Sequence, residues 1–269
     1  MNLLFIGDVV GRPGRRAVTQ WLPALRRELR PDFVIANGEN SAGGFGVSPE
    51  TFGELTAAGV DVVTGGNHIW HTREAPALLD GEPRLLRPAN YPAGAPGRGA
   101  GVFTTAGGAR VAVLNLEGRA FMQPVLSPFE CGREEAERLR AETRVILVDM
   151  HAEATSEKAA LAWHLDGRVS AVVGTHTHVQ TADERVLPGG TAFITDAGMT
   201  GPRDSIIGMS RETVLQRFLT LLPGRFEVAS GPAQLNAVAI EVDPASGRAT
   251  AIHRVNRIEE SHHVEGGLR

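Results

Sequence analysis

The sequence predicts an α/β protein built on two stacked sheets with helices on the outer faces, and three observations predict it. In the first third of the chain, short apolar runs at 2–6, 33–36 and 60–63 alternate with segments of helical spacing. That is the pattern of parallel strands joined by crossover helices. The chain closes with two long alternating segments, 234–242 and 249–258, which read as an antiparallel hairpin around Asp243-Pro244-Ala245-Ser246-Gly247. Counting every such run gives about ten strands, many for one open sheet, so two stacked sheets are expected.

Each element follows from its residues. Residues 2–6 form a compact apolar run ending at Gly7-Asp8-Val9-Val10-Gly11, a buried strand and a glycine-flanked turn that leave Asp8 at the strand's carboxyl end. Residues 14–30, rich in Arg, Leu and Ala at helical spacing, predict a helix with Pro23 as a kink or break. A second strand, Phe33-Val34-Ile35-Ala36, runs into Asn37-Gly38-Glu39-Asn40 and a glycine-rich loop over 41–46. Ser48 as N-cap and Pro49 at the first helical position start the next helix. A third strand, Val60-Asp61-Val62-Val63, reaches Gly65-Gly66-Asn67-His68.

Residues 84–100 are dense in Pro, Gly and Arg and form a long irregular segment, read either as a surface connection or as a lip beside a substrate. Strands over 101–105 and 110–116 pair across Ala106-Gly107-Gly108-Ala109. A charged helix over 133–142 precedes the strand Val145-Ile146-Leu147-Val148, which delivers Asp149-Met150-His151. After a helix over 156–166, the strand Ala171-Val172-Val173-Gly174-Thr175 sets His176 and His178 at its end. Ala192-Phe193-Ile194-Thr195 is a further strand, ending at Asp196 with a loop to Pro202, and Ser210 caps a helix through Leu222. No linker, low-complexity run or internal repeat divides the chain, so residues 1–269 are expected to be a single domain with a polar, frayed tail over 259–269 that includes His262 and His263.

Composition narrows the function. A net charge of -4 gives no overall basic field for wrapping nucleic acid. The one cysteine, Cys131, excludes an intrachain disulfide, as suits a reducing compartment. Lys158 is the only lysine, so no phosphate-binding loop of the Gly-x-x-x-x-Gly-Lys type exists. No apolar run is long enough for a signal peptide or a membrane span, and a soluble cytoplasmic protein is expected.

Asp8, Glu39, Asn40, Asn67, His151, His176 and His178 all fall just after predicted strands, seven such residues at five strand ends. Carboxylate oxygen, amide oxygen and imidazole nitrogen without thiolate suit Mn, Fe or Zn. Seven ligands exceed one tetrahedral zinc and suffice for two metals that share a bridging carboxylate, with positions left for water and substrate.

In motif order the chain resembles the calcineurin-like metallophosphoesterases: Gly7-Asp8, Gly38-Glu39-Asn40, Gly66-Asn67-His68, an isolated His151, and Gly174-Thr175-His176-Thr177-His178. Two departures stand out. Val10 occupies the position two after Asp8, where the superfamily usually has a histidine, and Glu39 replaces the usual bridging Asp, with Asn40 beside it able to fill the vacancy. Both departures, and the stretches Gly7-Asp8-Val9-Val10-Gly11, Asn37-Gly38-Glu39-Asn40-Ser41 and Gly65-Gly66-Asn67-His68, are similar to the bacterial YmdB-like branch, which hydrolyses 2',3'-cyclic nucleotides and other phosphodiesters.

The resemblance implies a four-layer α/β/β/α sandwich and two divalent metal ions, Fe or Mn in preference to Zn. Carried over by position, the first metal would take Asp8, Glu39, Asn40 and His178, and the second Glu39, Asn67, His151 and His176, with Glu39 bridging. Two such cations lower the pKa of a bridging water and neutralise the phosphoryl oxygens during in-line displacement. His68 is assigned to stabilise the pentavalent phosphoryl group and to protonate the leaving oxygen. The expected substrate is a small phosphodiester such as a cyclic nucleotide, with no stable nucleic-acid complex, no membrane partner, and homo-oligomerisation left open.

Other residues receive ordinary roles. His71 and His164 are assigned to surface or core positions, Thr175 and Thr177 to structure, and Asp196 either to orienting a histidine or to a turn. Arg12 and Arg87 are considered for phosphate contact and stay outside the site. A metal-dependent amidohydrolase is disfavoured because its His-x-His pair normally follows the first strand, and the only lysine lies in a helix. A phosphomonoesterase, or a regulatory protein with a non-catalytic metal site, are the alternatives.

Overall fold

The computed structural model describes residues 1–260, so most of the expected tail, with His262 and His263, lies outside the described residues. In chain order the elements are β1 (Asn2–Ile6), β2 (Asp8–Val9), α1 (Gly11–Leu29), β3 (Phe33–Asn37), α2 (Pro49–Ala57), β4 (Val62–Thr64), α3 (Ala75–Gly81) and β5 (Leu85–Leu86). They continue with β6 (Ala100–Thr104), β7 (Arg110–Glu117), α4 (Pro128–Arg140), β8 (Ile146–His151), α5 (Thr155–His164), β9 (Ala171–Thr175), β10 (Arg185–Val186) and β11 (Ala192–Ile194). The last are β12 (Met199–Pro202), α6 (Arg211–Thr220), β13 (Ala233–Val242) and β14 (Ala249–Ile258).

Two sheets result. One runs β2-β12-β13-β1-β3-β4-β5, with β14 paired to β13; the other runs β10-β11-β9-β8-β7-β6. The neighbours β1/β3, β3/β4, β7/β8 and β8/β9 are parallel, so their carboxyl ends come out on one side. Functional groups gather beyond such ends.

The two-residue period of the strands sorts side chains into layers. In β1, Leu3 and Phe5 join Phe33, Ile35, Val113, Leu147 and Val173 in the core between the sheets. Leu4 and Ile6 face the other way and pack with Val18, Leu22 and Leu25 of α1 and Leu55 of α2. On the far sheet, Leu114, Ile146, Val148 and Val172 pack with Leu139 of α4 and Leu161 of α5. The order is therefore helix, sheet, sheet, helix, the four-layer α/β/β/α arrangement.

Local chemistry sets the element ends. Ser48 Oγ accepts from Thr51 N while Thr51 Oγ1 accepts from Ser48 N, a reciprocal cap with Pro49 at the start of α2. Pro23 does not break α1, which continues through it: its ring is on the exposed side, where the carbonyl it leaves unpaired is free to bond water. β12 forms where a loop was expected, because β13 supplies antiparallel partners for Gly201 and Pro202. Residues 84–100 fold around Arg87, a buried cation whose guanidinium donates to the carbonyls of Pro88, Ala95 and Pro96. Arg87 is thus committed to holding its own loop. Glu259, at the start of the expected tail, is pinned as well: its amide donates to Ala233 O, and its carboxylate accepts from Ala233 N and pairs with Arg16. Among the described residues no helix is long and apolar enough to cross a membrane.

Candidate metal centre

All seven residues singled out in the sequence converge beyond the carboxyl ends of β1, β3, β4, β8 and β9. Two approaches require glycine. A Cβ on Gly7 would lie 1.9 Å from the carbonyl oxygen of Gly198, and one on Gly66 would lie 2.3 Å from the imidazole of His151. After β9 the backbone turns through left-handed conformations at His176 (φ 96°) and His178 (φ 65°), strain of the kind that gathers at functional sites.

The donors fall into two groups. In the first, His151 Nε2 lies 2.9 Å from Glu39 Oε1, 3.0 Å from Asn67 Oδ1 and 3.1 Å from His176 Nδ1. One donor atom each from Glu39, His151 and His176 can be enclosed within 4.8 Å. In the second, His178 Nε2 lies 3.2 Å from Asn40 Nδ2 and 3.7 Å from Asp8 Oδ1. A flip of the Asn40 amide would present Oδ1 at the same point.

A cation fits both groups. Asp8 and Glu39 are fully buried, yet Asp8 Oδ1 has no hydrogen-bond partner and Glu39 Oε1 is faced only by His151 Nε2. Leaving buried carboxylate oxygens unpaired is costly, and divalent metals bind this donor set of carboxylate, amide oxygen and imidazole. The electrostatics point the same way. Burial acts to raise the Glu39 carboxyl, but the charge and hydrogen bond of His151 hold it down to about 2. Burial acts to lower His151, but Glu39 first, then Asp8 and Asp149, push it up to about 9. Burial and the charge of His151 push His176 down to about 3, so its imidazole is neutral, the state a metal ligand needs.

Three surrounding contacts set the imidazole tautomers. His151 Nδ1 is 2.9 Å from Thr175 Oγ1, which in turn donates to Asp149 Oδ1 at 2.6 Å. With its Nδ1 proton held there, His151 turns Nε2 to the first group, where a bound cation would displace the second proton that its raised pKa holds. Asp149 is fully buried, also accepts from Thr64 Oγ1 (2.5 Å) and Asn37 Nδ2 (3.1 Å), and is pushed up to about 6, chiefly by burial. His176 Nε2 faces Glu153 Oε2 at 3.2 Å, which leaves Nδ1 turned to the first group. His178 Nδ1 donates to the carbonyl of Ile207 at 2.8 Å, which leaves its Nε2 lone pair for the second group.

Asp149, Glu153 and Ile207 were absent from the sequence-based site. Asp149 carried a signal, as a polar residue inside an apolar strand on the same face as His151, whereas Glu153 and Ile207 carried none. Asp196 orients no histidine ring. It accepts from Thr177 N (3.1 Å) and Oγ1 (2.7 Å), between the two histidines, and from buried Lys158 Nζ (2.7 Å).

His68 sits beside these groups. Its backbone N–H donates to Glu39 Oε2 at 2.8 Å, and its ring packs edge-on against Phe45 and His71 at centroid distances of 5.0 and 4.7 Å. Its Nδ1 is buried without a partner, and burial lowers its pKa. His71 contacts the carbonyl of His68 through Nδ1 at 3.1 Å, and His164 is exposed beside Phe129. A cleft of about 430 Å³ opens over Glu39, Asn40, His68, His176 and His178, large enough for a small organic ligand.

Fold and site together define an α/β/β/α protein with a cluster of candidate metal ligands where its two sheets meet. The chain belongs to the YmdB-like protein family, whose sequence profile matches residues 4–255. It is 50% identical over 255 residues, 95% of this chain and 96% of the relative, to a 2',3'-cyclic-nucleotide 2'-phosphodiesterase of Bacillus subtilis (strain 168). A putative phosphatase/phosphodiesterase of Mycoplasma genitalium is 34% identical over 262 residues, 95% of this chain and 92% of its own. Among solved structures, a hypothetical protein from Thermus thermophilus matches with TM-score 0.91 at 46% identity, covering 97% of this chain and 100% of that one. A novel phosphatase from Mycoplasma pneumoniae matches with TM-score 0.91 at 35% identity, covering 97% and 95%.

Proposed function

We propose that the protein is a dinuclear metal-dependent phosphodiesterase acting on small phosphodiesters, 2',3'-cyclic nucleotides first among them. The observation that carries this reading is the pair of buried carboxylates, Asp8 with an unpartnered oxygen and Glu39 met by His151, faced by imidazole and amide groups from five strand ends. The similarity to a phosphodiesterase over nearly the whole chain supports it. In this reading Asp8, Glu39, Asn40 and His178 hold one ion, and Glu39, Asn67, His151 and His176 hold the other, with Fe or Mn preferred and Zn the alternative. Because the ligands come from both sheets, residues 1–269 are read as one metallophosphoesterase domain.

Two divalent ions would supply an acidified water and neutralise charge that builds on the phosphoryl oxygens. The chain's own groups do the rest. Thr175, Glu153 and the Ile207 carbonyl hold three imidazoles in ligating tautomers. His68, lining the cleft, protonates the leaving oxygen, and its depressed pKa makes its imidazolium a readier proton donor.

The test is hydrolysis of bis-p-nitrophenyl phosphate, p-nitrophenyl phosphate and 2',3'-cyclic AMP by protein stripped of metal and reloaded with Mn or Fe. Turnover of the diesters is expected, with loss on chelation and in Asn67→Ala. Protein that holds two metals and turns over none of the three would overturn the reading.

A further inference from the structure

The cleft has two unlike halves. One carries the candidate ligands and His68; the other comes from residues 206–226 together with Phe45. The second half is lined by Phe45, Ile207, Met209, Val214, Phe218 and Phe226, none of which has a strong hydrogen-bonding group. Among the described residues, no Lys or Arg lines the cleft. The two remaining polar residues are already engaged, Thr177 Oγ1 with Asp196 at 2.7 Å and Glu153 with His176 at 3.2 Å. Phe218 is nonetheless 76% exposed on α6, an aromatic ring left in water at the cleft. Phe226 is overlain by the Arg217 guanidinium at 5.3 Å, and Phe45 is held edge-on to His68.

We propose that this apolar half is a nucleobase subsite that stacks on the base of a cyclic nucleotide without reading its edge. It rests on the phosphodiesterase reading and adds a selectivity rule to it: the substrate needs a base, and any of the four serves. Stacking on aromatic side chains is tolerant of base identity because every base has a π-face. Edge readout needs free donors and acceptors, and this wall offers none from its side chains.

The test compares kcat/KM for the four 2',3'-cyclic nucleoside monophosphates with that for glycerol 1,2-cyclic phosphate, which keeps a five-membered cyclic diester and lacks the base. For Mn-loaded wild type, the four nucleotides are expected within roughly 10-fold of one another, and above the glycerol ester by roughly 10- to 100-fold, the effect of one base–aromatic stack. Phe218→Ala should shrink that nucleotide-to-glycerol ratio and Phe218→Tyr should restore it; the exposure of Phe218 keeps both changes clear of the core. A ratio near one in wild type, a preference above about 100-fold for a single base, or a ratio unmoved by Phe218→Ala would overturn the subsite while leaving the phosphodiesterase reading standing. No turnover of any of the five esters would overturn that reading and the subsite with it.

Discussion

Thr175 shows how much a residue with no charge can decide. Its hydroxyl lies between His151 Nδ1 and Asp149, so it holds the Nδ1 proton and turns the opposite ring nitrogen toward the candidate site. Outer partners of this kind typically change metal affinity 10- to 100-fold when lost. Thr175→Val, which keeps the shape and removes the hydroxyl, should therefore weaken metal binding by about 10- to 100-fold in competition with a chromogenic chelator. Unchanged affinity would show that the ring is held by packing alone. The candidate ligands were legible in the sequence because each follows an apolar run with a polar donor. Their supports were not. Glu153 lies in an ordinary polar loop, the Ile207 contribution is a backbone carbonyl, and only the folded chain brings either to a histidine.

At the scale of elements, strands and helices draw stability from different sources, and a paired measurement separates them. Leu147 of β8 is fully buried between the sheets, where truncation removes contacts on both sides. Leu147→Ala is expected to cost about 2–5 kcal/mol in urea unfolding. Ser48→Ala removes one cap and should cost about 1 kcal/mol. Equal effects would mean that the cavity closes or that α2 is stabilised chiefly by its cap. Most elements could be read from periodicity, and the exceptions have physical reasons. Met199-Thr200-Gly201-Pro202 contains two residues that ordinarily mark turns, yet it is a strand because β13 offers it an edge. The start of α4 at Pro128 carried the same Ser-Pro signal as α2 in Ser127-Pro128, but the charged run over 133–142 drew the reading later. The fold class was accessible because alternation and strand count are global features that such slips do not change.

For the whole molecule, metal binding and folding are expected to be linked. The metal-free fold buries the unpartnered Oδ1 of Asp8, so it carries a cost that a cation would offset. Adding Mn to stripped protein should raise the melting temperature, and a saturating ligand at 100 times its Kd would add about 2.7 kcal/mol. In Asp8→Asn the metal-free melting temperature should rise and the metal-induced increment should shrink, both read in one thermal series. An increment as large as in wild type would exclude Asp8 from the cation site. This coupling places the site within the stability of the fold, since its groups come from strands of both sheets.

The buried pair of Lys158 and Asp196 also has a chemical consequence. Lys158 is the chain's only lysine, and its ammonium is wholly enclosed between α5 and the turn after β11. The folded surface therefore offers acylating reagents no lysine side chain. Acylation of Lys158 then becomes a clock for opening of the fold, ticking only when α5 parts from the sheet beneath it.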